Sequence, residues 1–313
     1  MNESFLLKGV RFQNRVFVAS GTFGYGDEVA GLVDLSKFGG IMTKSLSLKP
    51  RDGNPPPRIT ETPSGMLNSI GLANIGVRKF IDEKIPLLRT HRCGIVANIA
   101  ASSVEEYCSV LELLDPHKRV DGFEINVSCP NVKEGGLSFG TDVKMVSRIT
   151  RELRKRTKKP LIVKLTPNVT HISEFARAAE AEGADAVSVI NTLIGMAINI
   201  KSRKPKLSTV TGGLSGPAIK PIALAKVFEA FNAVKIPIFG IGGIATWEDA
   251  IEFFLVGASA VQVGTINFVN PGASIDIAEG IARYCAENSI DDIAKLVGAM
   301  KADTAVSVIQ SWL

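Results

Sequence analysis

Eight short apolar runs recur along the chain, and most are followed by a stretch with the spacing of an amphipathic helix. Several runs are apolar at nearly every position, which is typical of parallel strands buried on both faces. Repeated β/α units of this kind predict an α/β fold, a (β/α)8 TIM barrel, as a single domain over residues 1–313. The predicted strands are Val16–Ser20, Gly40–Lys44, Ile95–Asn98, Gly122–Val127, Leu161–Leu165, Ala186–Ile190, Ile236–Gly240 and Ala260–Gly264.

The stretches between the runs differ in what they predict. Ser173–Gly183 has apolar residues at helical spacing and ends at a glycine. Thr246–Gly257 begins with a capping threonine and carries Glu248 and Asp249 in its first turn, where acidic side chains favour a helix start. Ser45–Asn74 is too long and too rich in Pro and Gly for an ordinary βα connection. We interpret it as a long functional loop on the catalytic face.

Composition narrows the function mainly by exclusion. The chain has 313 residues, 45% of them hydrophobic, and a net charge of +5, without the cluster of basic and aromatic residues typical of nucleic-acid binding. Its four cysteines and three histidines lack the spacing of a metal site. No signal peptide and no membrane-spanning apolar stretch is visible, so we expect a cytoplasmic protein. No G-x-G-x-x-G follows the first strand, so we expect no Rossmann-type NAD site.

Polar residues cluster at the predicted strand ends, where a barrel gathers its catalytic groups. Lys44, Asn98, Asn126, Lys164 and Asn191 end or follow the second to sixth strands. A single such residue is more often a satisfied structural group, but five at matching positions favour a polar site. Asparagine offers both a donor and an acceptor to a heterocycle, and lysine offers a positive charge beside an electron-rich ring or a carboxylate.

Cys129 stands just past the fourth predicted strand, in the string Asn126–Asn131. A free cysteine more often simply packs in a core. A thiol at this place in an α/β barrel, beside the polar strand ends, favours chemistry instead. The glycine-rich segment Val132–Thr141 that follows has the composition of a loop that closes over a ligand.

Glycine-rich turns follow the last two predicted strands. Gly242 and Gly243 follow the seventh, and Gly264 and Thr265 follow the eighth. Backbone N–H groups in such turns cradle phosphate in many barrels, so the pair of turns predicts a phosphate-bearing cofactor. Gly212–Pro217 adds a third glycine-rich loop before a helix.

Longer strings are more specific than these single motifs. They are Ala19–Gly24, Thr43–Ser47, Gly53–Arg58, Met66–Leu72, Asn126–Asn131, Val163–Leu165, Ile190–Thr192, Gly212–Pro217 and Gly240–Ile244. With these strings the chain resembles, over essentially its full length, the catalytic subunits of class 1B dihydroorotate dehydrogenases. The resemblance implies one tightly bound FMN per chain and the oxidation of (S)-dihydroorotate to orotate in pyrimidine (UMP) biosynthesis.

The resemblance also implies a role for individual residues. Cys129 would remove the proton from C5 of dihydroorotate while hydride passes from C6 to the flavin, and Lys44 would contact both flavin and substrate. Lys164 would stabilise negative charge on the reduced flavin. The implied substrate contacts are Lys44, Asn68, Ser69, Ile70, Gly71, Leu72, Asn126, Asn191 and Thr192. The implied FMN contacts are Ser20, Lys44, Ser45, Asn98, Asn126, Lys164, Ile190, Gly216, Gly242, Gly243, Gly264 and Thr265.

The resemblance to class 1B enzymes also implies a partner subunit. Electrons would pass to NAD+ through a second subunit that carries FAD and a [2Fe–2S] cluster, in a heterotetramer with two copies of each subunit. The main alternative is a class 1A homodimer that uses fumarate, although the strings Pro55–Pro57 and Met66–Asn68 look like class 1B. A flavin barrel acting on RNA, similar to tRNA dihydrouridine synthases, predicts a basic extension that the chain lacks. A non-catalytic phosphate-binding scaffold leaves Cys129, Lys44 and Lys164 unexplained.

Overall fold

The structure is a computed structural model that describes residues 2–128 and 139–301. The strands in these ranges are numbered in chain order as β1 Phe5–Leu7, β2 Val10–Phe12, β3 Val16–Val18, β4 Gly40–Met42, β5 Ile59–Thr62, β6 Gly65–Asn68, β7 Gly94–Ile99, β8 Gly122–Asn126, β9 Leu161–Leu165, β10 Ala186–Val189, β11 Leu193–Met196, β12 Ile198–Asn199, β13 Lys204–Pro205, β14 Thr211–Ser215, β15 Ile238–Ile241 and β16 Ala260–Val263. Eight of them close into a parallel barrel in the order β10-β15-β16-β3-β4-β7-β8-β9. The predicted (β/α)8 barrel is confirmed, and each predicted strand end lies within two residues of the observed one.

Helices cover the outside of the barrel. Their bounds are α1 Val77–Lys79, α2 Ile85–Leu88, α3 Val104–Leu114, α4 Val143–Arg154, α5 Ile172–Ala181, α6 Lys220–Phe231, α7 Trp247–Leu255 and α8 Ala273–Glu287. The start of α7 is as predicted: Thr246 and Asp249 each accept a hydrogen bond from the other's backbone N–H. Over the part of the chain that the structure describes, no helix has both the length and the apolarity needed to cross a bilayer.

The amino end of the barrel is closed by apolar side chains. β1 and β2 form a hairpin whose two-residue turn has φ angles of 49° at Lys8 and 80° at Gly9. The hairpin places the Phe5 ring 5.4 Å from that of Phe239, which lies 5.1 Å from the ring of Phe17. These buried aromatic rings fill the barrel interior at the amino ends of the strands. Polar chemistry is therefore confined to the carboxyl ends of the strands.

A second sheet stands beside the barrel, with the order β11-β14-β6-β5 and antiparallel pairing. Our interpretation of Ser45–Asn74 as a loop was therefore wrong for Ile59–Thr62 and Gly65–Asn68, which form a hairpin in this sheet. A Cβ atom on Gly65 would lie 2.1 Å from the carbonyl oxygen of Ser215, so the close approach of β6 and β14 requires glycine. The strands are short, and their pairing depends on residues far away in sequence.

Candidate active site

The structure places the predicted strand-end residues on one face, because the carboxyl ends of parallel barrel strands meet there. Asn98, Asn126 and Lys164 lie on three neighbouring strands, β7, β8 and β9, with Asn98 paired to Glu124 and Asn126 paired to Lys164 in register. Asn191 directly follows the β10 end and donates its backbone N–H to the carbonyl of Leu165.

Two asparagines, at the ends of β8 and β10, orient each other. Nδ2 of Asn191 donates to Oδ1 of Asn126 over 3.2 Å, and the backbone N–H of Ser128 donates to the same oxygen over 3.1 Å. Oδ1 of Asn191 in turn accepts from the backbone N–H of Thr192 over 2.8 Å. Because oxygen and nitrogen of each amide are fixed by these partners, the site presents a defined pattern of donors and acceptors.

The second sheet supplies one wall. Asn68, at the end of β6, donates from Nδ2 to the carbonyl of Gly213 on β14 over 3.4 Å. The turn that follows it contains Leu72, whose φ of 58° is unusual for a leucine. Oγ of Ser69 is buried and has no hydrogen-bond partner among the described residues. A buried hydroxyl without a partner is a natural contact for a polar ligand.

The two predicted lysines have different surroundings. Lys44 follows β4 and is half-buried, and its backbone N–H donates to the carbonyl of Gly24. Within residues 2–128 and 139–301, its ammonium group has no hydrogen bond or ion pair. Nζ of Lys164 lies inside the barrel, 3.9 Å from Oε2 of Glu124. Lys44 is therefore available to a ligand, whereas the charge of Lys164 is partly neutralised by the protein.

Sequence reasoning missed Glu124, which is completely buried at the centre of the barrel. Its Oε2 accepts a 2.6 Å hydrogen bond from Nδ2 of Asn98, whose Oδ1 accepts from Oγ of Ser45 over 2.6 Å. The signal in the sequence was a charged residue between Phe123 and Ile125 in a run that otherwise predicts a buried strand. Ser20, two residues after β3, donates from its Oγ hydroxyl to the backbone carbonyl of Thr43.

The glycine turns after β15 and β16 form a cradle lined by backbone amides. Gly242 and Gly243 have φ angles of 131° and 79°, and neither of their N–H groups has an acceptor in the described part of the chain. Oγ1 of Thr265 donates to Oγ of Ser215 over 2.8 Å, which joins this cradle to the second sheet. Gly216 closes the other side, with a φ of 97°.

Protein atoms pack closely against the cradle at Gly242 and Gly243, and the cradle reaches the barrel interior at Ile190. A Cβ atom on Gly243 would lie 2.8 Å from the backbone nitrogen of Lys220. A Cβ atom on Gly242 would lie 3.5 Å from Cγ1 of the buried Ile190. For a Cβ atom on Gly264, in contrast, the nearest atom among the described residues, apart from its chain neighbours, would be Cβ of Ala19 at 3.5 Å. The space beside Gly264 is therefore open to a ligand.

Cys129 lies outside the described residues, which resume at residue 139. The cysteines that the structure describes are Cys93, Cys108 and Cys285, and all three are buried. Burial raises the pKa of Cys93 to about 11 and also raises the pKa of Cys108 and Cys285. A thiol that acts as a base or nucleophile needs the opposite shift, so these three cysteines have structural surroundings.

Known proteins match the chain along most of its length. A family model described as Dihydroorotate dehydrogenase matches residues 4–284. The chain belongs to the dihydroorotate dehydrogenase family. The resemblance drawn from the sequence strings is therefore confirmed.

Two relatives carry the name "Dihydroorotate dehydrogenase B (NAD(+)), catalytic subunit". The protein from Geotalea uraniireducens is 54% identical over 292 residues, covering 93% of this chain and 96% of its own length. The protein from Thermoanaerobacter sp. strain X514 is 52% identical over 303 residues, covering 97% of this chain and all of its own length.

A solved structure supports the fold of the family. The DHODH from Eimeria tenella, determined in complex with ferulenol, superposes with a TM-score of 0.81 at 21% sequence identity, covering 95% of this chain and 88% of the other. At this identity the likeness concerns the fold alone. It agrees with the closed barrel of eight parallel strands.

Proposed function

We propose that this chain is a single-domain catalytic subunit that oxidises (S)-dihydroorotate to orotate in pyrimidine (UMP) synthesis, as a class 1B, NAD+-linked enzyme. The observation that carries the proposal is the joining of a polar strand-end site and an amide-lined cradle in one barrel. Support comes from two relatives that match 93% and 97% of this chain, are more than half identical to it, and have names that state this activity. The fumarate-using class 1A alternative is not favoured, because these names specify the B enzyme and NAD(+).

The donors on the catalytic face suit FMN. Backbone amides at Gly242, Gly243, Gly264 and Thr265 would hold its phosphate, since exposed N–H groups in a glycine turn bind anions. Gly216 and Ile190 border the same cradle. The residues that would hold the flavin ring are Ser20, Lys44, Ser45, Asn98, Asn126 and Lys164. When bound, FMN supplies the acceptor for the hydride that leaves C6 of dihydroorotate.

The chain's own residues would then bind the substrate and move one proton. The mutually oriented amides of Asn126 and Asn191 would read the alternating C=O and N–H groups of the pyrimidine, together with Thr192 and the segment from Asn68 to Leu72. Lys44, which has no protein partner for its charge in the described ranges, would attract the substrate carboxylate.

Cys129 would remove the C5 proton as a thiolate. Its place in the sequence supports this role, because it comes directly after Ser128, whose backbone N–H donates to Oδ1 of Asn126 at the site. A general base of this kind works when its pKa lies near the working pH.

Electrons would leave the chain through a partner subunit with FAD and a [2Fe–2S] cluster, in a complex with two copies of each subunit. The words "catalytic subunit" and "NAD(+)" in the names of the relatives support a partner of this kind. Co-expression with such a subunit should give NAD+ reduction that the isolated chain lacks. Fumarate-dependent turnover by the isolated chain would favour class 1A instead.

A visible spectrum of the purified chain tests the central proposal. It should show bound flavin, and the flavin absorbance should bleach when dihydroorotate is added without oxygen. Orotate should then appear in an amount that matches the flavin reduced. A chain that neither contains FMN nor takes it up on reconstitution would refute the proposal. A bound flavin that dihydroorotate does not reduce would point to another substrate.

A further inference from the structure

A layer of polar side chains lies across the barrel interior. It separates the rings of Phe17 and Phe239, near the amino ends of the strands, from the candidate site at their carboxyl ends. Its centre is the buried carboxylate of Glu124. Oε1 accepts hydrogen bonds from Oγ of Ser188 over 2.7 Å and from Nε2 of Gln262 over 2.6 Å, and Oε2 accepts from Nδ2 of Asn98 over 2.6 Å. Lys164 Nζ lies 3.9 Å from Oε2. The group thus contains one side chain from each of five barrel strands, β7 to β10 and β16, arranged around the negative charge of Glu124.

Stability alone gives no reason for this arrangement. Burying a carboxylate and an ammonium group costs about as much as their attraction returns, and apolar replacements of similar size are often neutral or stabilising. The lower barrel layer shows that this fold accepts apolar filling, since Phe17 and Phe239 are completely buried there. In addition, Oε1 of Gln262 is buried with no hydrogen-bond partner in the described chain. The layer therefore keeps polar groups at a cost, which indicates a functional role.

The carboxylate also determines how Asn98 is oriented. An ionised carboxylate only accepts hydrogen bonds, so Asn98 has to turn its Nδ2 group towards Glu124. Its Oδ1 then faces Ser45, whose hydroxyl donates to it over 2.6 Å. Without the negative charge at Glu124, the two ends of the Asn98 amide could exchange places. The groups left over for the strand-end site, the second N–H of the Asn98 amide and the lone pairs of the Ser45 hydroxyl, would then no longer be fixed.

We propose that Glu124 is a positioning residue that sets the properties of bound FMN through Asn98 and Lys164. This inference rests on the proposed function. Glu124 fixes the orientation of the Asn98 amide, which would contact the flavin, and its charge offsets that of Lys164, 3.9 Å away. A flavin gains negative charge when it is reduced, and a nearby cation favours that state. Glu124 therefore holds the midpoint potential of the flavin lower than Lys164 alone would set it.

The midpoint potential of the bound flavin in Glu124→Gln tests the charge effect. Removing the negative charge should shift the reduction equilibrium towards reduced flavin by at least about tenfold, which is about 30 mV for a two-electron couple. Ser188→Ala is the matched control, because it removes one hydrogen bond to Glu124 without changing any charge. It should change the same equilibrium by less than about threefold.

Glu124→Asp separates orientation from charge. It keeps the carboxylate but withdraws it by one methylene, so the bond to Asn98 is lost. FMN should then dissociate at least about fivefold more readily, the scale of one hydrogen bond, while the potential moves less than in Glu124→Gln. This variant also carries the test if Glu124→Gln does not fold.

The results distinguish this inference from the function on which it rests. If the wild-type chain binds FMN and dihydroorotate bleaches it, the proposed function stands whatever the variants show. An unchanged or lowered potential in Glu124→Gln, or wild-type FMN affinity in Glu124→Asp, would then overturn the role of Glu124. A wild-type chain that takes up no FMN would overturn both.

Discussion

Gly243→Ala should weaken FMN binding because it forces the cradle after β15 to move. The φ of 79° at Gly243 costs an alanine about 1–2 kcal/mol. The new Cβ would lie 2.8 Å from the backbone nitrogen of Lys220 and 2.9 Å from the carbonyl oxygen of Gly216. Backbone atoms cannot rotate away, and overpacking of this kind adds about 1–3 kcal/mol.

The turn can relieve this strain only by shifting its amide groups. Losing one hydrogen bond to a charged phosphate costs about 1.5–3 kcal/mol. The dissociation constant of FMN should therefore rise roughly 10- to 150-fold, since each 1.4 kcal/mol is a factor of about ten. Fluorescence titration of the apoprotein with FMN measures this constant.

Gly31→Ala is the matched control for this change. Apart from its own atoms and those of its two chain neighbours, no atom of the described residues lies within 4 Å of the position that its Cβ would take, and Gly31 is exposed. Its FMN affinity should equal that of the wild type. If Gly243→Ala also binds FMN like the wild type, the turn after β15 does not hold the phosphate, and the assignment of the cradle is wrong.

Three further changes test other parts of the site. Cys129→Ala should retain FMN but slow anaerobic flavin reduction in stopped-flow experiments by about two orders of magnitude or more, the scale of general-base catalysis; unchanged kinetics would remove the thiol from the mechanism. Asn191→Ala removes the hydrogen bond to Asn126, so titration should show weaker orotate binding at unchanged FMN content. Loss of FMN instead would mean that this amide serves the cofactor. Burial opposes ionisation of Asp249, but hydrogen bonds from Lys220 and two backbone amides lower its pKa overall. The ionised carboxylate therefore stabilises the folded protein at neutral pH, and this contribution is lost as the pH falls through the lowered pKa. Asp249→Asn should lower the free energy of unfolding, measured by urea denaturation at pH 7, by about 1–2 kcal/mol. The difference from the wild type should shrink well below pH 3.8, and a difference that does not change with pH would contradict this account.

Local pattern was sufficient to predict the barrel strands. Each is a short, mostly apolar run, and the hydrogen bonds of a parallel barrel reinforce that local preference. The predicted seventh strand began two residues too early, at Ile236. Pro237 follows it and has no N–H group for the ladder, so the observed strand begins at Ile238.

The parts that sequence reasoning missed depend on distant partners. The hairpin of β5 and β6 is short and lies in a segment rich in Pro and Gly, and only pairing with β14 makes it part of a sheet. Glu124 is one charged residue in an apolar run, and its hydrogen-bond donors come from Asn98, Ser188 and Gln262 on three other strands. No local window contains these relationships.

The pairing of β6 with β14 has a consequence for the order in which the protein assembles. Asn68 and Gly213 are 145 residues apart, and four barrel strands, β7 to β10, lie between them in the chain. Contacts across such a distance form late, because a large loss of chain entropy has to be overcome first. A nascent chain that ends before Thr211 therefore lacks one wall of the candidate substrate site, however well its first strands have folded. The candidate substrate site is therefore completed only after residue 215 of 313 has been made.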